Sequence, residues 1–268
     1  MRSSASALLV LAACNQIFGN TAVEPAPAGV FDAPIDGPFG CPEIGSTPPF
    51  SPYLHQLPIT DCSYLSYVGE RAVADCLIDG LRVVMIGDGA DHLAPAPGVP
   101  PSAVPSLPRL SPDGQELYVH DATQIYFYTW SGAMWIDPKP TGILVPGMIL
   151  YTTIAQAGTV ERILVATNMD AIDEYEGRGQ TWTRISSVPF SQLGVVNLLG
   201  GLGMTSDGRR LVVGTPAGAR YADRASLADA FRLGDLIDAP SAADMFLTDN
   251  CARIYVSGLG SVFYAQQR

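Results

Sequence analysis

From Leu110 the chain reads "LSPDGQELYVH", a Ser-Pro-Asp-Gly turn placed directly before an apolar run of period two. Alternation at that period marks a strand with one face buried, and Asp-Gly supplies the backbone freedom that a hairpin turn needs. The pattern recurs as "MTSDGRRLVVG" from Met204, "FLTDNCARIYVSG" from Phe246 and, more loosely, "PITDCSYLSYVG" from Pro58. In that last copy Cys62 takes the turn position held elsewhere by Gly114, Gly208 and Cys251. Three residues beyond it stands an aliphatic side chain, Leu65, Leu117, Leu211 or Ile254. Cys62 to Gly114 is 52 residues, Gly114 to Gly208 is 94 and Gly208 to Cys251 is 43. The double interval demands a further copy, and "YTTIAQAGTVERILVATN", with Ile163 as its aliphatic, fills it. A repeat of this length in a helix-poor chain matches one four-stranded propeller blade.

The content of each unit agrees. "SLPRL", "ELYVHD", "QIYFYTW" and "AMWI" are four short runs separated by turn residues, and "GMILYTTIA", "ERILVAT", "AIDEYEG" and "QTWTRI" repeat the order. The last unit has only "DMFLT", "RIYVSG" and "SVFYAQ" before the chain ends. The expected fold is therefore all-β, a five-bladed β-propeller of four-stranded antiparallel meanders. Its missing strand is expected from the N-terminal tether, closing the ring. The domain reading is a signal segment over 1–13, a Pro/Gly/Ala-rich tether over 14–55 and the propeller over 56–268.

The cysteines fit that closure. Apart from Cys14 there are Cys41, Cys62, Cys76 and Cys251, which allow three pairings. A hairpin of "SYLSYV" with "RAVADC" around Gly69-Glu70 sets Cys62 opposite Cys76, leaving Cys41 for Cys251. The second bridge would staple the tether to the last blade. None of the four has metal-ligand spacing with another or with His55, His92 or His120, so no metal and no cofactor are expected.

Charge narrows the partners. The 26 acidic residues against 15 basic ones give a net charge of −11, and Lys139 is the only lysine, so no basic strip exists for nucleic acid. With 47% apolar and 15% charged residues the chain can bury a substantial core. The N-terminus, "MRSSASALLVLAACNQ", has the order of an export signal and is too short to span a bilayer. Its tetrad Leu11-Ala12-Ala13-Cys14 resembles the lipoprotein signal of bacteria, which implies acylation of Cys14; the plain alternative is an ordinary cleaved signal peptide. By the same resemblance Asn15 implies the outer membrane. Two or three acyl chains would anchor the chain stably.

"LSPDGQELYV" and "MTSDGRRLVVGT" resemble the repeat of TolB-type, WD40-like β-propellers, which occur in many exported lipoproteins of Gram-negative bacteria. "RYADRASLADAFRLG", Arg220 to Gly234, is similar to the aromatic strand and charged segment that follow in that family. The resemblance covers about 210 residues from Pro58 and implies a fold more than an activity. The separate N-terminal domain of TolB has no counterpart here.

Candidate sites weigh mostly towards architecture. Asp113, Asp207 and Asp249, with Gly114 and Gly208, read as blade turns in which the carboxylate accepts backbone amides. "YEGRGQTW" resembles an Asp-box at Gly179, Thr181 and Trp182, with Gly177 where the aspartate belongs. Asp170, Asp173, Glu174 and Glu176 in "MDAIDEYEG" read as a solvated outer strand. "GDGADH", Asp88 to His92, reads as a polar loop without the ligand count of a calcium site. The aromatics Tyr126, Phe127, Tyr128, Trp130 and Trp135 alternate between the core and a surface. No Ser/His/Asp constellation appears, so no residue is singled out as catalytic. The expected function is a lipid-anchored cell-envelope propeller, facing the periplasm or the cell surface, that binds or scaffolds an envelope protein or glycan through a blade face or the central channel. The competing expectation is a glycan hydrolase or lyase using carboxylates at the propeller mouth, and a passive structural role is the third.

Overall fold

The computed structural model describes residues 23–25, 41, 43, 46, 50, 54–104, 106–157, 159–168, 170–193, 200–215, 217–237, 244–258 and 260–267. Cys14, the signal segment and most of the Pro-rich stretch lie outside them. The chain enters through β1 (Val23–Pro25) and β2 (Leu54–Thr60). Blade one follows as β3 (Cys62–Val68), β4 (Arg71–Ile78), β5 (Leu81–Asp88) and β6 (Ala94–Pro95). Blade two is β7 (Arg109–Leu110), β8 (Glu116–His120), β9 (Ile125–Trp130) and β10 (Trp135–Pro140). Blade three is β11 (Ile149–Ala157), β12 (Val160–Thr167), β13 (Ala171–Arg178) and β14 (Thr181–Pro189). Blade four is β15 (Leu202–Met204), β16 (Arg210–Thr215), β17 (Gly218–Asp223) and β18 (Arg232–Leu236). Blade five contributes β19 (Asp244–Leu247), β20 (Arg253–Gly258) and β21 (Ser261–Gln266).

Its fourth strand is β2, paired antiparallel with β21, so the ring closes with one strand from the N-terminal side; β1 adds a parallel edge beside β2. The result is a five-bladed β-propeller of four-stranded antiparallel sheets. Two corrections follow. The closing strand is Leu54–Thr60, so only Leu54 and His55 come from the tether; its register with β21 breaks between Gln56 and Thr60, around Pro58, which has no N–H to donate. "PITDCSYLSYVG" is also not a copy of the turn motif: it carries the crossing from β2, the fourth strand of blade five, to β3, innermost in blade one. The equivalent turn of blade one is Gly69-Glu70, and the aliphatic position three residues on is Ala72, not Leu65.

Strand alternation builds five cores, one in each seam. On each second strand one residue faces the preceding blade and its neighbour the following one: Leu117 and Tyr118, Ile163 and Leu164, Leu211 and Val212, Ile254 and Tyr255. Burying each of these side chains contributes about 1.5–3 kcal/mol. Two disulfides reinforce the frame: Cys62 pairs with Cys76 across the β3–β4 hairpin, and Cys41 with Cys251 across a sequence separation of 210. Beside the second bridge, the Arg210 guanidinium donates to the carbonyls of Glu43 at 3.3 Å and Ser46 at 2.9 Å, and Phe50 is buried in the seam of blades four and five. The N-terminal segment is thus fixed to the ring at several described points.

Candidate functional site

The axis of the ring is filled. Arg109 lies on β7, the inner strand of blade two, and its side chain is 4% exposed. A guanidinium carries five N–H donors in a planar fork, and here all five are used. Nε donates to Thr152 O at 3.1 Å, Nη1 to Tyr64 O and Pro108 O at 3.1 Å each, and Nη2 to both oxygens of Asp244 at 2.9 and 3.0 Å. These acceptors belong to blades one, two, three and five. The inner strand of blade four joins through Met204 N, which donates to Thr153 Oγ1 at 3.1 Å. Burial pushes the Asp244 carboxyl up and Arg109 pulls it back, leaving it at about 6. A binding mode that threads the central channel is therefore closed at this level, because one fully bonded side chain occupies it.

Above this plug, on the face that bears the turns between first and second strands, a cavity of about 170 Å³ opens. Every blade contributes to its wall: Tyr67 from the first, Pro112 from the second, Gln156 from the third, Ser206 from the fourth, Phe246 and Asp249 from the fifth. Tyr67 and Phe246 are half-buried, their ring centroids 6.1 Å apart. Arg109 forms part of the floor, with no donor left over. Asp249 is the one carboxylate among the described residues lining the mouth. A second concavity of about 250 Å³ lies at the seam of blades one and two, with Tyr126 and Tyr128 against Pro100 and Pro101.

The turns beside the mouth are built alike. In blade two Ser111 Oγ donates to Asp113 Oδ1, which also accepts Gln115 N, while Glu116 N donates to Ser111 Oγ. Thr205, Asp207, Arg209 and Arg210 repeat these bonds in blade four. In blade five the pattern is Thr248, Asn250, Ala252 and Arg253, so the turn acceptor there is Asn250 rather than Asp249. Gly114, Gly208 and Cys251 follow the acceptor with φ of 67°, 69° and 57°. Asp249, one residue early, accepts the Ser206 amide of blade four at 2.6 Å. For Asp113, burial works against the charged form, but the bonds from Ser111, Gln115 and Arg178 outweigh it and hold the carboxyl below its ordinary range.

Of the acidic stretch of blade three only Asp170, just before β13, is exposed, and β13 is the third strand rather than the outer one. Asp173 and Glu174 are 1% and 6% exposed. Glu174 accepts Arg162 Nη1 at 3.1 Å, Arg224 Nη1 at 2.9 Å and Ser186 Oγ at 3.1 Å, which ties blade three to blade four. Asp173 is held by Arg184 and by Ser187 Oγ at 2.7 Å, and Glu176 by Arg162 Nη2 at 2.8 Å. Burial is tolerated because each acid has a cationic partner from elsewhere in the chain. At Gly177 an added Cβ would meet Thr181 O at 1.9 Å, so the partial Asp-box has no room for its aspartate. His92 contacts Asp91 and the Asp88 carbonyl at 3.3 Å each. Among the described residues, no three His, Cys, Asp or Glu side chains gather as a metal site would require. Phe127, Tyr128 and Trp135 are core residues, while Tyr126 and Trp130 are half-buried.

The sequence did not point to Arg109, Asp244 or Gln156. Their only signal is position: Arg109 precedes the turn motif directly, where an inner strand faces the axis.

No protein family matches the chain, and no curated protein matches it. Solved structures do. The SapL1 lectin in complex with alpha methyl fucoside is 16% identical over 76% of this chain and 75% of its own, with a TM-score of 0.49. A protein from Lactobacillus plantarum is 15% identical over 81% of this chain and 67% of its own, with a TM-score of 0.46. A functionally unknown protein from Desulfotomaculum acetoxidans is 12% identical over 77% of this chain, which spans 64% of that protein, with a TM-score of 0.48. At such identities the likeness concerns the course of the backbone alone.

Proposed function

We propose that this protein is a non-catalytic binding module of the bacterial cell envelope, tethered through acylated Cys14, whose axial mouth receives the end of a neutral glycan. The observation that carries this reading is the mouth itself, to which all five blades contribute above a plugged axis. Its volume of about 170 Å³, well beyond the roughly 10–15 Å³ that a single water needs, admits one sugar ring. A sugar presents an apolar C–H face and a rim of hydroxyls. Phe246 and Tyr67 suit the first; Asp249, Ser206 and Gln156 suit the second. Hydrolysis of a glycosidic bond needs two carboxylates about 5–9.5 Å apart, and the described lining offers one. Two disulfides favour an oxidising compartment.

Calorimetric titration with a panel of neutral methyl glycosides tests the ligand. Saturable binding of at least one is expected, weakened at least about tenfold, the equivalent of roughly 1.4 kcal/mol, by Phe246→Ala and by Asp249→Ala, and unchanged by Tyr126→Ala at the distant groove. Absence of binding across the panel, or binding indifferent to the mouth variants, sinks the assignment. Labelled palmitate incorporated by the wild type and lost in Cys14→Ser is the matching outcome for the tether.

A further inference from the structure

Beside the mouth, the seam of blades two and three contains more acceptors than protons. Tyr118 Oη lies within hydrogen-bond distance of two carboxyl groups, Glu116 and Glu161, the latter at 2.7 Å. A phenol has one hydrogen, so it satisfies one carboxylate and faces the other with a lone pair. Glu116 has a cation, since Arg178 Nε stands 3.6 Å from its Oε1 while the same guanidinium holds Asp113. Glu161 has none: it is 0% exposed, and its Oε1 has no hydrogen-bond partner. The other charged groups acting on it are Glu116, Arg178 and Asp113. Its partners across the sheet, Gln156 on β11 and Gly177 on β13, are uncharged. Arg162, next on its own strand, is spent on Glu174 and Glu176.

We propose that Glu161 is a protonated carboxylic acid in the closed seam, donating to Tyr118 Oη while Tyr118 donates to Glu116, and that loss of this shared proton loosens the seam and the adjoining wall of the mouth. The extra proton makes both contacts true hydrogen bonds and leaves a carbonyl, rather than half a carboxylate, without a partner. Ionisation would put a second negative charge beside Glu116 in a dry seam, where like charges and lost solvation both oppose it. Burial first, then the neighbouring Glu116, push the Glu161 carboxyl up to about 7, against the hydrogen bond from Tyr118. The mouth is mechanically close. Gln156, which lines it, is the cross-strand partner of Glu161, and Pro112, also lining it, precedes Asp113 in the turn that Arg178 holds. The seam is then a latch closed in mildly acidic surroundings and released above neutrality.

The consequence for ligand capture rests on the mouth being the ligand site; the latch does not. It is therefore tested without sugar, by amide hydrogen exchange of segments 111–116 and 153–156, corrected for intrinsic rates. In the wild type, opening rises about tenfold between pH 6 and pH 8, as expected for a carboxyl that titrates near 7 when closed and near its ordinary value when open. In Glu161→Gln, which keeps a donor towards Tyr118 and cannot ionise, the rise disappears. A wild type with no rise, or a variant with the same rise, overturns the latch. If Glu161→Gln does not fold, the carboxyl ¹³C shifts of Glu-labelled wild type decide. One glutamate still protonated at pH 6 and titrating near 7 supports the proposal, and a full set already ionised at pH 6 overturns it.

Discussion

Arg109 and Asp244 meet across the propeller axis, the Nη2 of Arg109 donating to both carboxylate oxygens at 2.9 and 3.0 Å, one residue from the inner strand of blade two and the other from that of blade five. The pair lies far apart in sequence and near the centre of the ring. It converts what would be an open channel into a buried joint between blades.

Removing one partner of such a pair strands a charge in the interior. Asp244→Ala is expected to lower stability by about 3–5 kcal/mol, and Arg109→Leu by a similar amount. The double variant Arg109→Leu/Asp244→Ala should be less destabilised than the sum of the two, because no charge is left behind. Urea unfolding of the three variants checks this; strict additivity would mean that the pair is not coupled.

The two disulfides should differ in weight. In the chain-entropy picture a bridge closing about 15 residues contributes about 3 kcal/mol, and one closing a loop of a hundred or more nearly 5. Replacing Cys41 and Cys251 with serine is therefore expected to lower the urea midpoint more than replacing Cys62 and Cys76, even though Cys41 is exposed. The reverse order would show that the N-terminal segment is held chiefly by Arg210 and Phe50.

Single-residue substitutions separate turn from mouth in the last blade. Asn250→Ala removes the acceptor of Thr248 Oγ1 and Ala252 N and should cost about 1–2 kcal/mol. Asp249→Ala removes one exposed bond to Ser206 N and should cost less than about 1 kcal/mol while impairing sugar capture. Thermal unfolding beside a binding titration distinguishes the two; equal losses of stability would erase the distinction.

These contrasts mark what the sequence made legible. Leu117, Ile163, Leu211 and Ile254 gave away the blades because each sits in a period-two strand behind a turn, and strand alternation is a local property. The first blade slipped by one strand because its turn, Gly69-Glu70, lacks the Ser/Thr-x-Asp/Asn bonds that mark the turns of blades two, four and five. Asp249 drew the eye as an acid, while the geometry used Asn250, since either side chain offers the same oxygen to the amide two residues on. Asp173 and Glu174 read as solvated because their arginines come from other strands, two of them from other positions on the sheet and one from the next blade. Arg109 and Asp244 are 135 residues apart, so only the closed ring brings them together.

The pH dependence of stability joins these buried groups. Burial pushes Asp75 and Asp244 up to about 6, in each case against an arginine, and pushes Glu161 up to about 7. A carboxyl whose folded value is raised holds its proton longer in the folded state than in the unfolded one. Its stabilising effect is complete below the unfolded value, near 4, and is lost as pH rises through the folded one. His120 has the opposite sign: burial lowers it from 6.5 to about 4, so the unfolded chain binds its proton first and stability is lost as pH falls from about 6.5 to 4. Three carboxyls against one imidazole leave a net fall on the order of a few kcal/mol as pH rises from 4 to 7. Urea midpoints across that range measure it. In His120→Gln the fall should steepen, because the main opposing group is gone, and in Asp75→Asn it should become shallower. A profile that climbs from pH 4 to 7 would mean that the axial and seam carboxyls are ionised in the folded protein, with their charges met by the arginines in full.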